Sequence, residues 1–342
     1  MRILIVSNSY KVIKGGIEHH AAILQEELSK FGHEVSSIHY NFHKVSQELR
    51  LHSYDWILFE GLDRKVLLQL VLGQLRTSCK IALFTHGSFM DEVHWKVLVR
   101  AGYWRNLKLP FRILFDRVFM RWLMNSINKV ICLSQTEAAE ICDYIGVDRS
   151  RTVGIQPFFG QTVTTTRSAS EMHPVYHQPF LLAVARLSFE KNILSLIHAL
   201  NGLDVGLVLA GQDRGELKRI RAAVEKNNLK HFNYIGPITA KTRDLLIHDS
   251  AGCVLPSFID AFPLFALEAL KGGRPVLLSE CSYIEPHQGI TFTGPKPDQI
   301  RKGVLRILSE HQAVDQTWII ENQQVCAEII STLETKATST TR

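Results

Sequence analysis

The chain has 342 residues, of which 46% are hydrophobic and 21% are charged, so it is long enough for two α/β domains of about 150 residues each. This composition excludes a collagen-like, coiled-coil or wholly disordered protein. The formal charge of +6 comes from 39 Lys and Arg residues against 33 Asp and Glu residues. That excess is too small and too dispersed for a nucleic-acid-binding surface, so we expect no nucleic-acid partner.

The cysteines and the apolar runs indicate the cellular compartment of the protein. The six cysteines are far apart and never form a CxxC pair, which argues against a zinc site or a disulfide framework and favours buried thiols in a reducing cytosol. The apolar run at residues 3–6 is too short for a signal-peptide core, and no stretch approaches the roughly 18 apolar residues of a membrane span. We therefore expect a cytoplasmic protein.

Strand-like apolar runs alternate with helical patterns along most of the chain, which predicts an α/β protein with doubly wound parallel sheets. In the first part, a helix over Ile17–Lys30 is predicted to end at Gly32 as its C-cap. The predicted strands of this part cover residues 2–7, 34–40, 56–60, 80–85 and 129–133.

Between Gly160 and Pro179 the sequence loses apolar periodicity and becomes rich in Thr and Ser, as interdomain linkers do. A second series of strands is then predicted over residues 180–185, 205–210, 232–235, 252–256, 275–279 and 289–292. The predicted organisation is an N-terminal domain over 1–160, a linker over 161–178, a C-terminal domain over 179–330 and a frayed tail over 331–342.

A pair of glycines, Gly15 and Gly16, lies between the first strand and the first helix. Adjacent glycines let the backbone approach a ligand, and a helix N-terminus favours an anion. The glycine spacing of a dinucleotide fingerprint is absent. A phosphate-binding loop and an ordinary flexible turn both fit this motif.

Two cations, Arg186 and Lys191, follow the first strand of the second domain. Ligands of open α/β sheets bind beyond the carboxyl ends of strands, where an Arg fork and a Lys ammonium together suit a diphosphate. The alternative is a solvated basic loop in which the cations pair with Glu190.

The segment 256–275 carries two acidic residues around a short predicted helix over residues 263–271. Pro263 suits the first helical position and Gly272 suits the C-cap. Glu268 lies on an otherwise apolar helix, where it needs partners such as ribose hydroxyls, or else an internal salt bridge. Asp260 precedes the N-terminus of this helix by a few residues. It either contacts a ligand there or is an ordinary cap or turn residue.

Taken together, these motifs resemble the family 4 glycosyltransferases, and the resemblance covers nearly the whole chain. It extends to His86-Gly87 after a strand, to Leu133-Ser134 before a helix and to Ala210-Gly211-Gln212 after a second-domain strand. The resemblance implies the GT-B fold, in which two Rossmann-like doubly wound domains face a central cleft. It also implies retaining transfer of a hexose-type sugar from a nucleoside diphosphate sugar.

The resemblance also implies roles for individual residues. Gly15 and Gly16 would contact the distal phosphate through backbone N–H groups, Arg186 and Lys191 would neutralise the diphosphate, and Glu268 would bind the ribose. The implied donor-binding set is Gly15, Gly16, Arg186, Lys191, Gly211, Phe262, Pro263, Leu264 and Glu268. The implied catalytic set is Arg186, Lys191, Asp260 and His86, the last of which is similar to the acceptor-domain histidine near the transferred sugar.

The chain departs from the family pattern at two places. The family usually has Glu followed by Gly, whereas here Asp260 is one methylene shorter and Ala261 adds a Cβ where the backbone approaches the donor. An Asn-Gly pair near the end of the first domain is replaced by residues 155–158. The sequence holds no DxD motif, so we expect no metal and no cofactor, and the leaving diphosphate would be stabilised by protein cations and helix dipoles.

The stretch 94–129 holds eight Lys and Arg residues against one acidic residue, interleaved with aromatic side chains. This composition favours a peripheral contact with an anionic membrane surface on its inner face, while a core helix with a basic face is the alternative. The acceptor implied by the resemblance is a glycan or a lipid-linked glycan in bacterial-type surface polysaccharide or lipopolysaccharide assembly.

Three other functions remain open at this stage. A non-catalytic GT-B subunit would accommodate the two departures. A sugar-nucleotide epimerase would share the two-domain plan and convert its donor without an acceptor. A nicotinamide-dependent oxidoreductase would also be doubly wound, although its glycine fingerprint is missing.

Overall fold

A computed structural model describes residues 1–7, 16–39, 42–74, 79–89, 116–159, 179–309 and 313–335. These residues form two compact units. The first contains the described residues of Met1–Phe158 and Ile320–Arg342, and the second contains those of Phe159–Ile319. Within the described ranges, no helix is both long and apolar enough to cross a membrane.

The first unit is built on a parallel sheet whose six described strands lie in the order β2-β1-β3-β4-β5-β6. These strands are β1 Arg2–Ser7, β2 Glu34–His39, β3 Trp56–Glu60, β4 Lys80–Phe84, β5 Lys129–Cys132 and β6 Thr152–Gly154. The described helices are α1 Gly16–Lys30, α2 Phe42–Leu51, α3 Arg64–Gln74, α4 Arg121–Asn125 and α5 Gln135–Ile145, and a π-helical turn at Asp116–Met120 precedes α4.

Strand β1 shows how the first sheet is covered on both faces. Leu4 and Val6 pack into one buried apolar cluster, and Ile3 and Ile5 pack into another on the opposite side. Because successive side chains of a strand point to opposite faces, a strand covered on both faces has a continuous apolar sequence. The predicted first-part strands are confirmed, and the exception to this pattern is β2, which lies at the sheet edge and has no buried residue.

The second unit is built on another parallel sheet, whose described strands lie in the order β12-β11-β10-β7-β8-β9. These strands are β7 Phe180–Val184, β8 Gly206–Ala210, β9 Phe232–Gly236, β10 Gly252–Leu255, β11 Val276–Ser279 and β12 Ile290–Thr293. The helices are α6 Ile193–Leu200, α7 Leu217–Lys226, α8 Ala240–Asp249, α9 Leu264–Lys271 and α10 Pro297–Ser309.

Each sheet has a point at which the direction of strand winding reverses. It lies between β1 and β3 in the first sheet and between β7 and β10 in the second. At such a point the connections leave on opposite faces, and ligands of open α/β sheets bind beyond the carboxyl ends of the strands there. The candidate residues of each unit lie near its reversal point.

The C-terminal segment differs from the sequence prediction, which assigned residues up to 330 to the second domain and the remainder to a frayed tail. Helix α11, Asn322–Glu334, instead packs on the first unit through Val325, Ile329 and Leu333, which are 0–1% exposed. Gln156 anchors the start of this segment, because its side-chain amide bonds both the carbonyl and the N–H of Ile320. The predicted linker lies outside the described residues.

Two smaller features can also be compared with the sequence prediction. Strand β6 was not predicted, because it is only three residues long and partly exposed. At the end of α9, Gly272 is the C-cap but has φ −76°, and Gly273 takes the left-handed conformation with φ 73°. The predicted C-cap at Gly272 is therefore confirmed, and the left-handed residue follows it at Gly273.

Candidate functional site

The loop after β7 is held in place by Asn192. This residue is buried, has left-handed backbone geometry with φ 55°, and donates through Nδ2 to the carbonyls of Pro256 at 3.0 Å and Pro295 at 2.9 Å. Asn tolerates this conformation better than most residues. The contact fixes the end of the Arg186–Lys191 loop against the loop that follows β10.

Lys191 and Asp260, which the sequence placed in separate motifs, are in direct contact. Lys191 Nζ lies 2.7 Å from Asp260 Oδ2, with side chains 14% and 15% exposed. Ser257 Oγ donates to the same oxygen at 3.2 Å. Glu190 instead accepts from Ser188 Oγ at 2.5 Å, so the alternative in which Lys191 pairs with Glu190 is not observed. Arg186 is exposed on the same loop.

The N-terminus of α9 lies just beyond Asp260. Pro263 precedes the helix, and no side chain caps it, so Asp260 is not a cap residue. A helix N-terminus presents backbone N–H groups and a partial positive charge. Phe262 and Leu264 are partly buried and pack against the apolar core of the second unit. This packing does not test their predicted role in donor binding, which stays a prediction.

Glu268 lies on α9 with 5% exposure, and its carboxylate faces Arg243 of α8. Arg243 Nε is 2.9 Å from Glu268 Oε2 and 3.8 Å from Asp244 Oδ1. Burial raises the pKa of Glu268 to about 7; Arg243 opposes this rise and Asp244 adds to it. The internal salt bridge weighed from the sequence is therefore present, and ribose binding by Glu268 stays a prediction. Sequence reasoning missed Arg243.

Gly211 follows β8, where its backbone has φ 133°. A Cβ atom at this position would lie 1.8 Å from the carbonyl oxygen of Ala185 in the loop after β7. Tyr234 donates its hydroxyl to the carbonyl of Gly211 at 2.9 Å. Close packing of two loops thus requires glycine here, and the predicted donor contact remains a prediction.

In the first unit, His86 belongs to a buried cluster with His20 and Glu60. His86 follows β4 with φ 48°, and its Nε2 lies 2.6 Å from Glu60 Oε2. His20 Nδ1, from α1, lies 3.0 Å from the same oxygen. Glu60 is fully buried; burial would raise its pKa, but the two imidazoles lower it to about 2.

Three potential metal-ligand atoms of His20, Glu60 and His86 lie within 4.8 Å of one another. The two nitrogen–oxygen separations of 3.0 and 2.6 Å are hydrogen-bond distances. Ligands of one tetrahedral zinc ion, at about 2.0–2.1 Å from the metal, would be separated by about 3.4 Å. The geometry is therefore that of a carboxylate hydrogen-bonded by two imidazoles.

A second buried carboxylate, Glu137 of α5, holds the backbone around His86. Its Oε1 accepts from Thr85 Oγ1 at 2.8 Å and from the N–H of Gly87 at 3.0 Å, and its Oε2 accepts from the N–H of Leu133 at 2.6 Å. Burial raises its pKa. Glu137 also donates its backbone N–H to Ser134 Oγ at 3.2 Å, as in a helix capping box.

Sequence reasoning found His86 but missed His20, Glu60 and Glu137, although each had a local signal. His20 falls on the apolar stripe of the first helix, beside Ala21 and Leu24. Glu60 ends a strand whose preceding residues are all buried. Glu137 stands three residues after a capping serine.

Some predicted residues lie at or beyond the limits of the described chain. Gly16 begins α1, whereas Gly15 lies outside the described residues, as do residues 94–115 of the basic aromatic stretch. In the described part of that stretch, Val118 is 69% exposed and Trp122 is 48% exposed. Their neighbours Leu123 and Met124 are buried.

Two doubly wound parallel sheets, each with candidate residues at the carboxyl ends of its strands, are the architecture of the GT-B fold. Residues 171–324 match the family model described as Glycosyl transferases group 1. The chain therefore has the GT-B fold, and its residues 171–324 are similar to glycosyl transferases group 1. The resemblance found in the sequence is confirmed at this level.

Known proteins are similar over nearly the whole chain. A curated, uncharacterised glycosyltransferase of Methanocaldococcus jannaschii is 23% identical over 366 residues, covering 91% of this chain and 90% of that protein. Sucrose-phosphate synthase from Thermosynechococcus elongatus has a TM-score of 0.73 at 17% identity, covering 97% of this chain and 94% of that one. Anabaena HepE, solved in complex with UDP and glucose, has a TM-score of 0.68 at 17% identity, covering 97% and 99%.

Proposed function

We propose that the chain is a retaining glycosyltransferase that moves a hexose-type sugar from a nucleoside diphosphate sugar to a glycan or lipid-linked glycan. The proposal rests on the contact between Lys191 and Asp260 at the reversal point of the second sheet, beside the N-terminus of α9. A cation and the positive end of a helix thus converge where ligands of such sheets bind.

The proposed chemistry requires stabilisation of negative charge on a leaving diphosphate. Arg186 would supply a planar fork and Lys191 a point charge, and the N–H groups of α9 would add their dipole. These groups together give a metal-independent mechanism, without a cofactor. The sequence shows no obvious nucleophile, which suits a retaining mechanism in which the leaving phosphate helps to deprotonate the acceptor hydroxyl.

Other residues would bind the rest of the donor. Glu268 would accept hydrogen bonds from the ribose hydroxyls, in competition with its ion pair to Arg243. Gly15 and Gly16 would contact the distal phosphate through their backbone. HepE was solved with UDP and glucose, which supports UDP-glucose as the first donor to test.

The acceptor is proposed to be a glycan or lipid-linked glycan in surface polysaccharide or lipopolysaccharide assembly. Among the similar structures is a lipopolysaccharide outer core galactosyltransferase, WaaB, which supports this class of acceptor. Exposed Val118 and Trp122 beside Arg121 support a peripheral position of the cytoplasmic enzyme on the inner face of a membrane.

A thermal-shift experiment tests the donor site. We expect one nucleoside diphosphate among UDP, GDP and ADP to raise the melting temperature, since ligand at 100 times its Kd adds about 2.7 kcal/mol. The shift should persist in EDTA and be lost in Arg186→Ala. Arg221→Ala removes an exposed Arg from α7 and should retain it. Stabilisation by none of the three, or an equal shift in both variants, would contradict the donor site.

A product analysis separates the proposed activity from its rivals. Incubation with the stabilising nucleotide sugar and a lipid-linked glycan should give a glycosylated acceptor whose anomeric configuration, read by NMR, equals that of the donor. Conversion of the donor sugar without acceptor would instead identify an epimerase. Nucleotide binding without any turnover would identify a non-catalytic subunit.

A further inference from the structure

The turn that carries His86 is held by two buried carboxylates from different elements. Glu60, at the end of β3, binds the imidazole of His86, and Glu137, on α5, binds the backbone N–H of Gly87. His86 itself has a left-handed backbone with φ 48°, which is strained for a residue other than glycine. Such strain persists only where the surroundings impose it, and it concentrates at functional sites.

The hydrogen bonds of Glu60 define where the imidazole protons lie. An ionised carboxylate only accepts, so Nε2 of His86 and Nδ1 of His20 must both carry protons to bond with Oε2. In a neutral imidazole the other nitrogen is then an acceptor. For His86 this acceptor is Nδ1, which bonds to no other group among the described residues.

Stability alone does not account for this cluster. A carboxylate buried between two imidazoles loses its hydration, and apolar side chains of similar volume generally stabilise a core as well or better. The cluster also lies at the reversal point of the first sheet, where β1, β3 and β4 are neighbours. A fixed acceptor nitrogen at this point suits a ligand that donates a hydrogen bond, and a sugar hydroxyl is such a donor.

We propose that Glu60 is a positioning residue that fixes His86 in the tautomer with a proton on Nε2, so that Nδ1 accepts a hydrogen bond from a sugar hydroxyl during transfer. His20 completes the arrangement by bonding the same carboxylate oxygen from α1. This role rests on the proposed transferase activity. The tautomer itself is measurable without that activity.

The first test is the tautomer of His86 in the wild-type protein. Long-range ¹H–¹⁵N NMR correlations of the histidine rings distinguish a protonated nitrogen from an unprotonated one. We expect His86 to carry its proton on Nε2 near neutral pH, with its signals assigned from the spectrum of His86→Gln. The exposed His52 and its variant His52→Gln serve as the control. A proton on Nδ1 with Nε2 bare would overturn the proposal.

The second test is Glu60→Met, which keeps the length of the side chain but removes the acceptor that both imidazoles share. Without that acceptor the ring and the tautomer of His86 are no longer fixed, and a wrong tautomer at a working histidine is costly in rate. We expect kcat to fall by at least about 100-fold, the proton on His86 Nε2 to lose its fixed position, and the nucleotide thermal shift to be retained. Glu60→Gln should lose less, because its amide oxygen can still accept from both imidazoles. The double variant Glu60→Met/His86→Gln should lose no more than His86→Gln alone, because both act through one imidazole.

The outcomes separate this proposal from the proposed function. A folded Glu60→Met variant with wild-type kcat, or one that loses kcat while His86 keeps its proton fixed on Nε2, would overturn the positioning role. Stoichiometric metal lost from the purified protein on Glu60→Met would also overturn it, because the cluster would then be a metal centre. If the wild type transfers no sugar, the proposed function fails, while the wild-type NMR measurement still decides the tautomer.

Discussion

Glu60 and Glu268 are both buried, yet their surroundings shift their pKa values in opposite directions. Two imidazoles bond one oxygen of Glu60, and its pKa falls to about 2 in spite of burial. Glu268 faces one guanidinium and lies near the carboxylate of Asp244, and burial raises its pKa to about 7. The number of donors, more than the depth of burial, decides which form each carboxyl group prefers.

The raised pKa of Glu268 predicts a pH-dependent loss of stability. Between its ordinary pKa of 4.5 and about 7, the folded state holds a proton that the unfolded state releases. Stability therefore falls as pH rises through this window, by up to about 3 kcal/mol. Denaturant unfolding at pH 4.5, 6 and 8 should show that the free energy of unfolding of Glu268→Gln rises relative to that of the wild type as the pH increases. Glu225→Gln, at an exposed position, should show the same dependence of unfolding free energy on pH as the wild type. If Glu268→Gln also showed the wild-type dependence, the raised pKa of Glu268 would be contradicted.

Gly211→Ala should be strongly destabilising, because its Cβ would lie 1.8 Å from a backbone oxygen that cannot move independently of its strand. Overpacking together with an unfavourable φ gives an expected loss of at least about 3 kcal/mol. Gly215→Ala is the matched control: φ there is 97°, and no atom lies within 4 Å of the added Cβ. Thermal unfolding should show a much smaller loss for the control, and equal losses would exclude the steric cause.

A strand or helix could be predicted from the sequence where its own residues show that it is buried. Strands such as β3 and β8 are continuous apolar runs because both faces are covered, and these were found. Helix α11 has an apolar face that the sequence shows, but periodicity does not say which unit will cover it. Its packing on the first unit depends on contacts with residues about 300 positions earlier in the chain, such as Leu24 and Leu28.

The position of α11 predicts which unit its core residues stabilise. Ile329→Ala should cost about 2–5 kcal/mol, and hydrogen exchange should accelerate in β1 of the first unit more than in β8 of the second. Glu328→Ala, an exposed neighbour on the same helix, should change stability by less than about 0.5 kcal/mol. Faster exchange in β8 alone would contradict this assignment.

In the molecule as a whole, each unit has a cluster of charged or polar side chains at the reversal point of its sheet. The second unit joins cations to a helix N-terminus, and the first joins imidazoles to carboxylates. The sequence predicted Arg186, Lys191 and Asp260 because they follow strands whose carboxyl ends share one edge. It could not predict the role of Arg243, because its partner Glu268 comes from another element and only the folded chain brings them together.

The exposed apolar side chains near α4 predict how the whole protein distributes between water and a lipid surface. Trp122→Ser should weaken binding to phosphatidylglycerol vesicles by about 5–30-fold, since burying the exposed part of an aromatic side chain contributes on the order of 1–2 kcal/mol. Binding to phosphatidylcholine vesicles should be weak, and added salt should reduce binding to the anionic ones, because basic residues surround Trp122 in the sequence. Leu305→Ser, which removes a comparably exposed apolar side chain from the second unit, should leave vesicle binding unchanged. Equal losses in the two variants, or none in Trp122→Ser, would place the lipid contact elsewhere or exclude it.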